Sequence, residues 1–154
     1  MQGPYISHPN NAPHFQLFKK TQTMKNKGQL FTTLAAVAAA VLLLQSLYFK
    51  FTGAAVSMHI FGQLGVEPYG RIFTGTLELV SGIMLLIPAV RIWGALLTAG
   101  IMGGAIVSHL FILGIEVQGD GGQLFAMAVI ILALSAWVAF YDRERALKLI
   151  PFLR

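Results

Sequence analysis

Two ionisable residues stand well inside largely apolar runs of this chain: Glu78 within GRIFTGTLELVSGIMLLIPAV, which also has Arg71 at its edge, and His109 within IWGALLTAGIMGGAIVSHLFILG. A charged side chain at the centre of a bilayer costs about 2.5–3.5 kcal/mol. A carboxyl at that depth must therefore be neutral, paired or wet. A carboxylate and an imidazole that share a pocket can exchange protons with a bound molecule. Arg71 and Glu78 are seven residues apart, two helical turns on one face, with Thr74 between them. His109 and Glu116 have the same spacing. At a rise of about 1.5 Å per residue, Glu78 is expected about 10 Å, and His109 about 8 Å, inside the same rim. Gln45 falls at a similar depth in an earlier apolar run, and Asp120 and Gln123 open the last one from that side. These positions predict a polar layer between helices. Glu78, His109, Arg71 and Gln45 are its ligand or proton-relay candidates, and Thr74, Glu116, Asp120 and Gln123 are secondary.

Each residue also has a plainer reading. Arg71 and Lys50 can snorkel to lipid phosphate. Gln45 can join helices through a hydrogen bond. Glu116 reads as a solvated loop residue, and Asp120 with Gln123 has the spacing of a capping box. Pairing of Glu78 with His109 or Arg71 can be purely structural. No spacing such as H-E-x-x-H links His59, Glu78, His109, Glu116 and Asp120, so no metal centre is expected. A haem held by two histidines needs both at matching depth, and only His109 falls within a span. The sequence has no glycine-rich phosphate loop and no nucleophile elbow. Cysteine is absent, which excludes thiol–disulfide exchange, thiolate-bound iron–sulfur clusters and c-type haem. Catalysis by the chain alone is not expected, and the residues assign no reaction.

The elements that must position these groups follow from composition. Of 154 residues, 56% are hydrophobic and 11% charged, and the mean hydropathy is +0.70. Soluble domains carry about 25% charged residues. Four apolar runs, at about 29–51, 70–90, 92–114 and 123–141, match the length of membrane-crossing helices. The predicted fold is an all-α bundle of four transmembrane helices over 29–141. Residues 1–28, with Pro4, Pro9 and Pro13, read as a disordered basic tail. Met24-Lys25-Asn26-Lys27 reads as a natural start, which makes 1–23 an upstream extension. A cleaved signal peptide is the rival reading of the first run, but the run is long and no small-residue cleavage site follows it. Val56 to Leu64 reads as an interfacial stretch or a surface turn. Pro68 suits the first turn of the next helix. Residues 142–154 read as a basic tail skimming the headgroups.

Nine of the eleven lysines and arginines flank one side: Lys19, Lys20, Lys25, Lys27, Arg91, Arg143, Arg145, Lys148 and Arg154. Only Lys50 and Arg71 flank the other. The positive-inside rule then places both termini in the cytoplasm. The net charge of +5 is explained by this orientation, and no soluble basic face exists for nucleic acid. Gly100, Gly104 and Ser108 make one small-residue stripe, and Gly75 and Gly82 another. Such stripes suit packing within the bundle, or a homo-oligomer.

The stretch Gly65-Val66-Glu67-Pro68-Tyr69-Gly70-Arg71, followed by Gly75, Glu78-Leu79, Gly82 and Leu85-Leu86-Ile87-Pro88, resembles DoxX-like membrane proteins. So do Gly94-Ala95-Leu96-Leu97 through Met102, Gly104-Ala105 and His109, and the loop Gly114-Ile115-Glu116-Val117 with Gly119-Asp120-Gly121-Gly122. The resemblance spans about 24–142, and its sharper part is the Arg71, Glu78 and His109 combination. The extension at the front is atypical. Proteins of that family are four-helix membrane proteins, named for a small subunit of a terminal quinol oxidase, with relatives in thiosulfate:quinone oxidoreductases. Most stand alone with no assigned reaction. The resemblance implies an accessory subunit of a quinone-linked respiratory or sulfur redox system in a bacterial-type cytoplasmic membrane. It also implies a redox partner subunit and a quinone near the periplasmic face. The alternative is a non-enzymatic scaffold, assembly factor or small-solute carrier in contact with membrane lipid.

Overall fold

The computed structural model describes residues 13–149, and all regular structure in that range is helical. The elements are α1 (Pro13–Phe51), α2 (Ala55–Gln63), α3 (Tyr69–Leu86), α4 (Arg91–Ser108), a π-helical turn (His109–Leu113) and α5 (Gln123–Leu149). Helix α1 starts well before the expected span. Residues 13–28, read from sequence as an irregular tail, are helical, and residues 1–12 lie outside the described range. The cause is local: Pro13 suits a first helical turn, and no glycine or proline follows until Gly28. Once the apolar part nucleates, each added residue gains a hydrogen bond at little further cost. Helix α5 likewise runs through Asp142 to Leu149 without a break. The expected separate tail is thus helical up to that point, and residues 150–154 lie outside the described range.

Helix α3 stops at Leu86, where Ile87 turns extended at φ −98° and ψ 109°. Pro88 disfavours helical backbone at the residue before it. The next helix starts at Arg91, and the connection is so tight that a β-carbon on Gly94 would lie 2.8 Å from the Leu85 nitrogen.

Helices α1 and α4 each pack against both α3 and α5, which closes a four-helix arrangement. Its core joins Ala35, Ala36, Ala39, Ala40 and Leu43 of α1 to Leu85 of α3, Ala95 and Met102 of α4, and Ile131 and Val138 of α5. Alanines on α1 and glycines on α3 allow close approach. A β-carbon on Gly75 would lie 3.4 Å from Lys50, and one on Gly82 would lie 3.4 Å from Leu44. The Gly100 and Gly104 stripe does something else: a β-carbon at either would meet nothing within 4 Å. Packing within the bundle is therefore not its role.

Large apolar side chains cover the outside, among them Leu34, Val41, Phe73, Val107, Phe111 and Phe140. Among the described residues, three helical segments are long and apolar enough to cross a membrane: Asn26–Phe51, Arg91–Leu113 and Gln123–Arg143. Helix α3 has 18 residues, about 27 Å of rise. It is less apolar because it buries Arg71, Glu78 and Ser81 toward its neighbours.

At the Arg91 end, a buried arginine ties four segments together. Its Nε donates to the Leu85 carbonyl at 3.1 Å, and a terminal nitrogen donates to Thr33 Oγ1 at 3.3 Å. The same nitrogen lies 3.9 Å from the buried Asp142 carboxylate. Sequence had assigned Arg91 only an orienting charge. Its clamp depends on Asp142, which the continuous α5 carries back into the bundle.

Candidate functional site

Glu78 is 3% exposed, so its carboxyl must find partners inside the protein. Helix α1 supplies them from two positions four residues apart, which share a face. Lys50 Nζ lies 2.9 Å from Glu78 Oε2. The Ser46 hydroxyl lies 2.7 Å from the same oxygen and accepts from Lys50 Nζ at 3.4 Å. Ser46 also lies 2.7 Å from the Leu43 carbonyl. With a single proton, it donates to one of these acceptors at a time. Lys50, expected to snorkel outward, instead bends into the bundle. A fixed carboxylate at hydrogen-bond distance in a weakly polar interior holds an ammonium more firmly than mobile, hydrated phosphate does. Ser46 was not among the sequence candidates. Its neighbour Gln45 was, but Gln45 is exposed at the edge of the site. One residue of helix rotates a side chain by about 100°, so Ser46 reaches Glu78 while Gln45 turns outward.

Arg71 is buried but does not reach Glu78. Its Nε donates to both Glu67 carboxylate oxygens, at 2.8 and 3.0 Å, and its Nη2 lies 2.8 Å from Glu67 Oε1. Its Nη1 donates to the Lys50 carbonyl. Arg71 therefore closes the end of α1, where carbonyls lack helical partners. The expected inward line of Arg71, Thr74 and Glu78 is broken: Arg71 anchors the backbone of Lys50, while Glu78 holds that residue's ammonium.

His109 opens the π-helical turn and is 5% exposed. Its Nδ1 lies 2.8 Å from the Gly114 carbonyl. A carbonyl only accepts, so Nδ1 carries a proton and donates it to Gly114. Phe125 packs edge-on at 5.7 Å between ring centres. Gly114, at φ +81°, permits the sharp exit from the turn.

Asp120 fills the plainer of its two readings. Its carboxylate accepts from the backbone nitrogens of Val117 at 2.8 Å, Gly122 at 2.9 Å and Leu124 at 2.9 Å. The Leu124 and Val117 amides, helped by Gly122 and the nearby His109, hold its pKa below the usual 3.8 against a smaller opposing effect of burial. The Gln123 amide donates to the Asp120 carbonyl at 3.2 Å, which fixes the start of α5. Glu116 is exposed in the loop before it.

Glu78, Lys50, Ser46 and His109 line one cavity of about 660 Å³, together with Thr74, Gln45, Asp120 and Gln123. Arg71 and Glu116 do not line it. Leu43, Met102, Ala128 and Ile131 form its deeper wall, and Phe61 and Ile60 of α2 close one side. The stretch Val56 to Leu64 is thus neither a plain turn nor a detached interfacial segment; most of it is a helix that covers the site. The volume lies within the range of small-molecule sites, and the mix of a few polar groups on an apolar wall is typical of them. Among the described residues, no three His, Cys, Asp or Glu side chains are grouped as metal ligands would be.

A family model described as the DoxX-like family matches residues 33–138 of the chain. No curated protein and no solved structure matches it.

Proposed function

Since the chain belongs to the DoxX-like family, we propose that it serves as a membrane accessory subunit of a quinone-linked respiratory or sulfur redox system. In this reading α3 is a fourth span, both termini are cytoplasmic, and the cavity opens near the periplasmic face of a bacterial-type cytoplasmic membrane. The distribution of lysine and arginine supports that orientation. The observation that carries the reading is the buried Lys50–Glu78 pair, at 2.9 Å, in the wall of a largely apolar cavity that also holds His109. Replacing a buried ion pair with well-packed apolar residues is often neutral or stabilising. A pair retained in a cavity wall therefore suits recognition better than stability.

When bound, a quinol supplies two electrons and two protons on its oxidation to quinone. Glu78 accepts a proton at its carboxylate, with Lys50 and Ser46 fixing the orientation of Oε2. His109 accepts at Nε2, because Nδ1 is engaged by Gly114. The two electrons pass to a metal or flavin redox centre carried by a partner subunit, and the absence of cysteine excludes a thiolate-held iron–sulfur cluster in this chain. Glu78→Gln removes the proton acceptor and keeps the shape. Quinol-dependent electron transfer in membranes carrying that variant is expected to fall by about 100-fold or more, with an unchanged circular dichroism spectrum. Undiminished transfer would remove the mechanism.

A second reading, a non-enzymatic scaffold, assembly factor or solute carrier, draws on Arg71, which is spent on Glu67 and the Lys50 carbonyl, and on Asp120, whose carboxylate holds backbone amides. A ligand-free protein that co-purifies with a stable partner would favour it.

A further inference from the structure

Gly100 and Gly104 lie one turn apart on α4, in the wall of the cavity, and both are exposed. Small residues in membrane bundles usually mark close helix contact, as Gly82 and Gly94 do here. At Gly100 and Gly104 no neighbour fills the space a side chain would take. Their depth relates them to the ion pair. Glu78 is nine residues into α3 from Tyr69, and Gly104 is nine residues from Leu113 along a helix running the opposite way. Each is about 13 Å from its end, so they are level, with Gly100 about 6 Å further in. Glu78 therefore lies near the level of Gly104, His109 lies about 7 Å nearer the helix end, and below Glu78 the wall turns apolar through Leu43, Met102 and Ile131.

We propose that the ligand is a tailed amphiphile that enters sideways from the bilayer across the Gly100–Gly104 face. Its head meets Lys50, Glu78 and His109, and its tail leaves over bare helix backbone. The inference rests on the quinone-class reading of the cavity and adds the route and the tail. Glycine at these positions lets a chain of methylene or isoprenoid width lie against α4, and a larger side chain would stand in its path. Entry from the aqueous side is hindered by α2, whose Phe61 is buried over the site.

The test uses the full chain in lipid nanodiscs and two benzoquinones with the same ring, one with a ten-carbon tail and one without. Gly104→Phe places a ring in the open wall, and Val41→Phe, on the exposed face of α1 outside the cavity, is the control. The expected result is a loss of about tenfold or more in affinity for the tailed quinone in Gly104→Phe. Affinity for the tail-free ring should stay close to wild type, and Val41→Phe should be unaffected for both. Equal loss of both quinones in Gly104→Phe, or loss of neither, would overturn the lateral route while leaving the quinone site standing. Conversion of a dimer to a monomer by Gly104→Phe, with binding intact, would overturn it in favour of a second copy on that face. Wild-type protein that binds neither quinone would overturn the underlying reading as well.

Discussion

The polar residues of the site divide by what their atoms touch. Arg71 and Asp120 bond backbone groups and hold chain ends in place, whereas Glu78, Lys50 and Ser46 hold one another in the cavity wall that His109 shares. Asp120 gives the first prediction. Its folded pKa is depressed because three amides favour the carboxylate. The unfolded chain therefore takes up this proton at a higher pH than the folded one. The stabilisation is fully present above the ordinary carboxylate pKa of about 4 and is lost as pH falls through the lower folded value. Hydrogen exchange at the Leu124 amide should accelerate relative to wild type in Asp120→Asn at neutral pH. The two proteins should converge once the medium is acid enough to protonate Asp120 in the fold. A constant difference across that window would contradict the assignment. Sequence located Glu78 and His109 because an ionisable group in an apolar run is conspicuous from composition alone. It missed Ser46 and the inward turn of Lys50. Both depend on which way α1 faces, and the alanine-rich apolar run of α1 leaves that rotation open.

At the scale of elements, two glycines on neighbouring helices make different demands. A β-carbon on Gly94 would press on backbone atoms, 2.8 Å from the Leu85 nitrogen and 3.0 Å from the Met84 carbonyl carbon. One on Gly82 would meet the Leu44 side chain at 3.4 Å, which a rotamer adjustment relieves. Gly94→Ala is therefore expected to lower stability by about 1–3 kcal/mol. Gly82→Ala should stay within about 1 kcal/mol, since alanine also favours the helix. Thermal unfolding in the same detergent compares them, and equal effects would contradict the close α3–α4 packing. The helical class and the membrane-length runs were legible from hydropathy. Helix ends were not legible where no breaker occurs, so α1 and α5 outrun the expected spans at Pro13 and Leu149. The end of α3 at Leu86 was only approximately legible, because Pro88 acts through the residue before it. The π-helical turn at His109 had no sequence signal, since it arises from the packing of that ring against Phe125 and the Gly114 carbonyl.

For the molecule as a whole, the number of crossings hinges on α3. Three helices pass on length and apolarity, and three crossings would put the termini on opposite sides. Helix α3 lies between α1 and α4, turns Arg71 and Glu78 inward, and leaves Phe73, Ile83 and Leu86 outside. With α3 as a fourth crossing, reporter tags on both ends should respond from the cytoplasm, and tags responding from opposite sides would sink that topology. On the proposed topology the cavity would lie under the periplasmic rim, and α2 covers it.

The most direct measurement is of what the protein carries. Wild-type and Glu78→Gln protein, purified from native membranes in mild detergent and matched by circular dichroism, would be extracted with organic solvent and their quinones quantified by mass spectrometry. The account predicts quinone retained with the wild-type chain, in amounts approaching one per protein, and largely lost from the variant. Wild-type protein free of quinone, or a variant that retains as much, would contradict it.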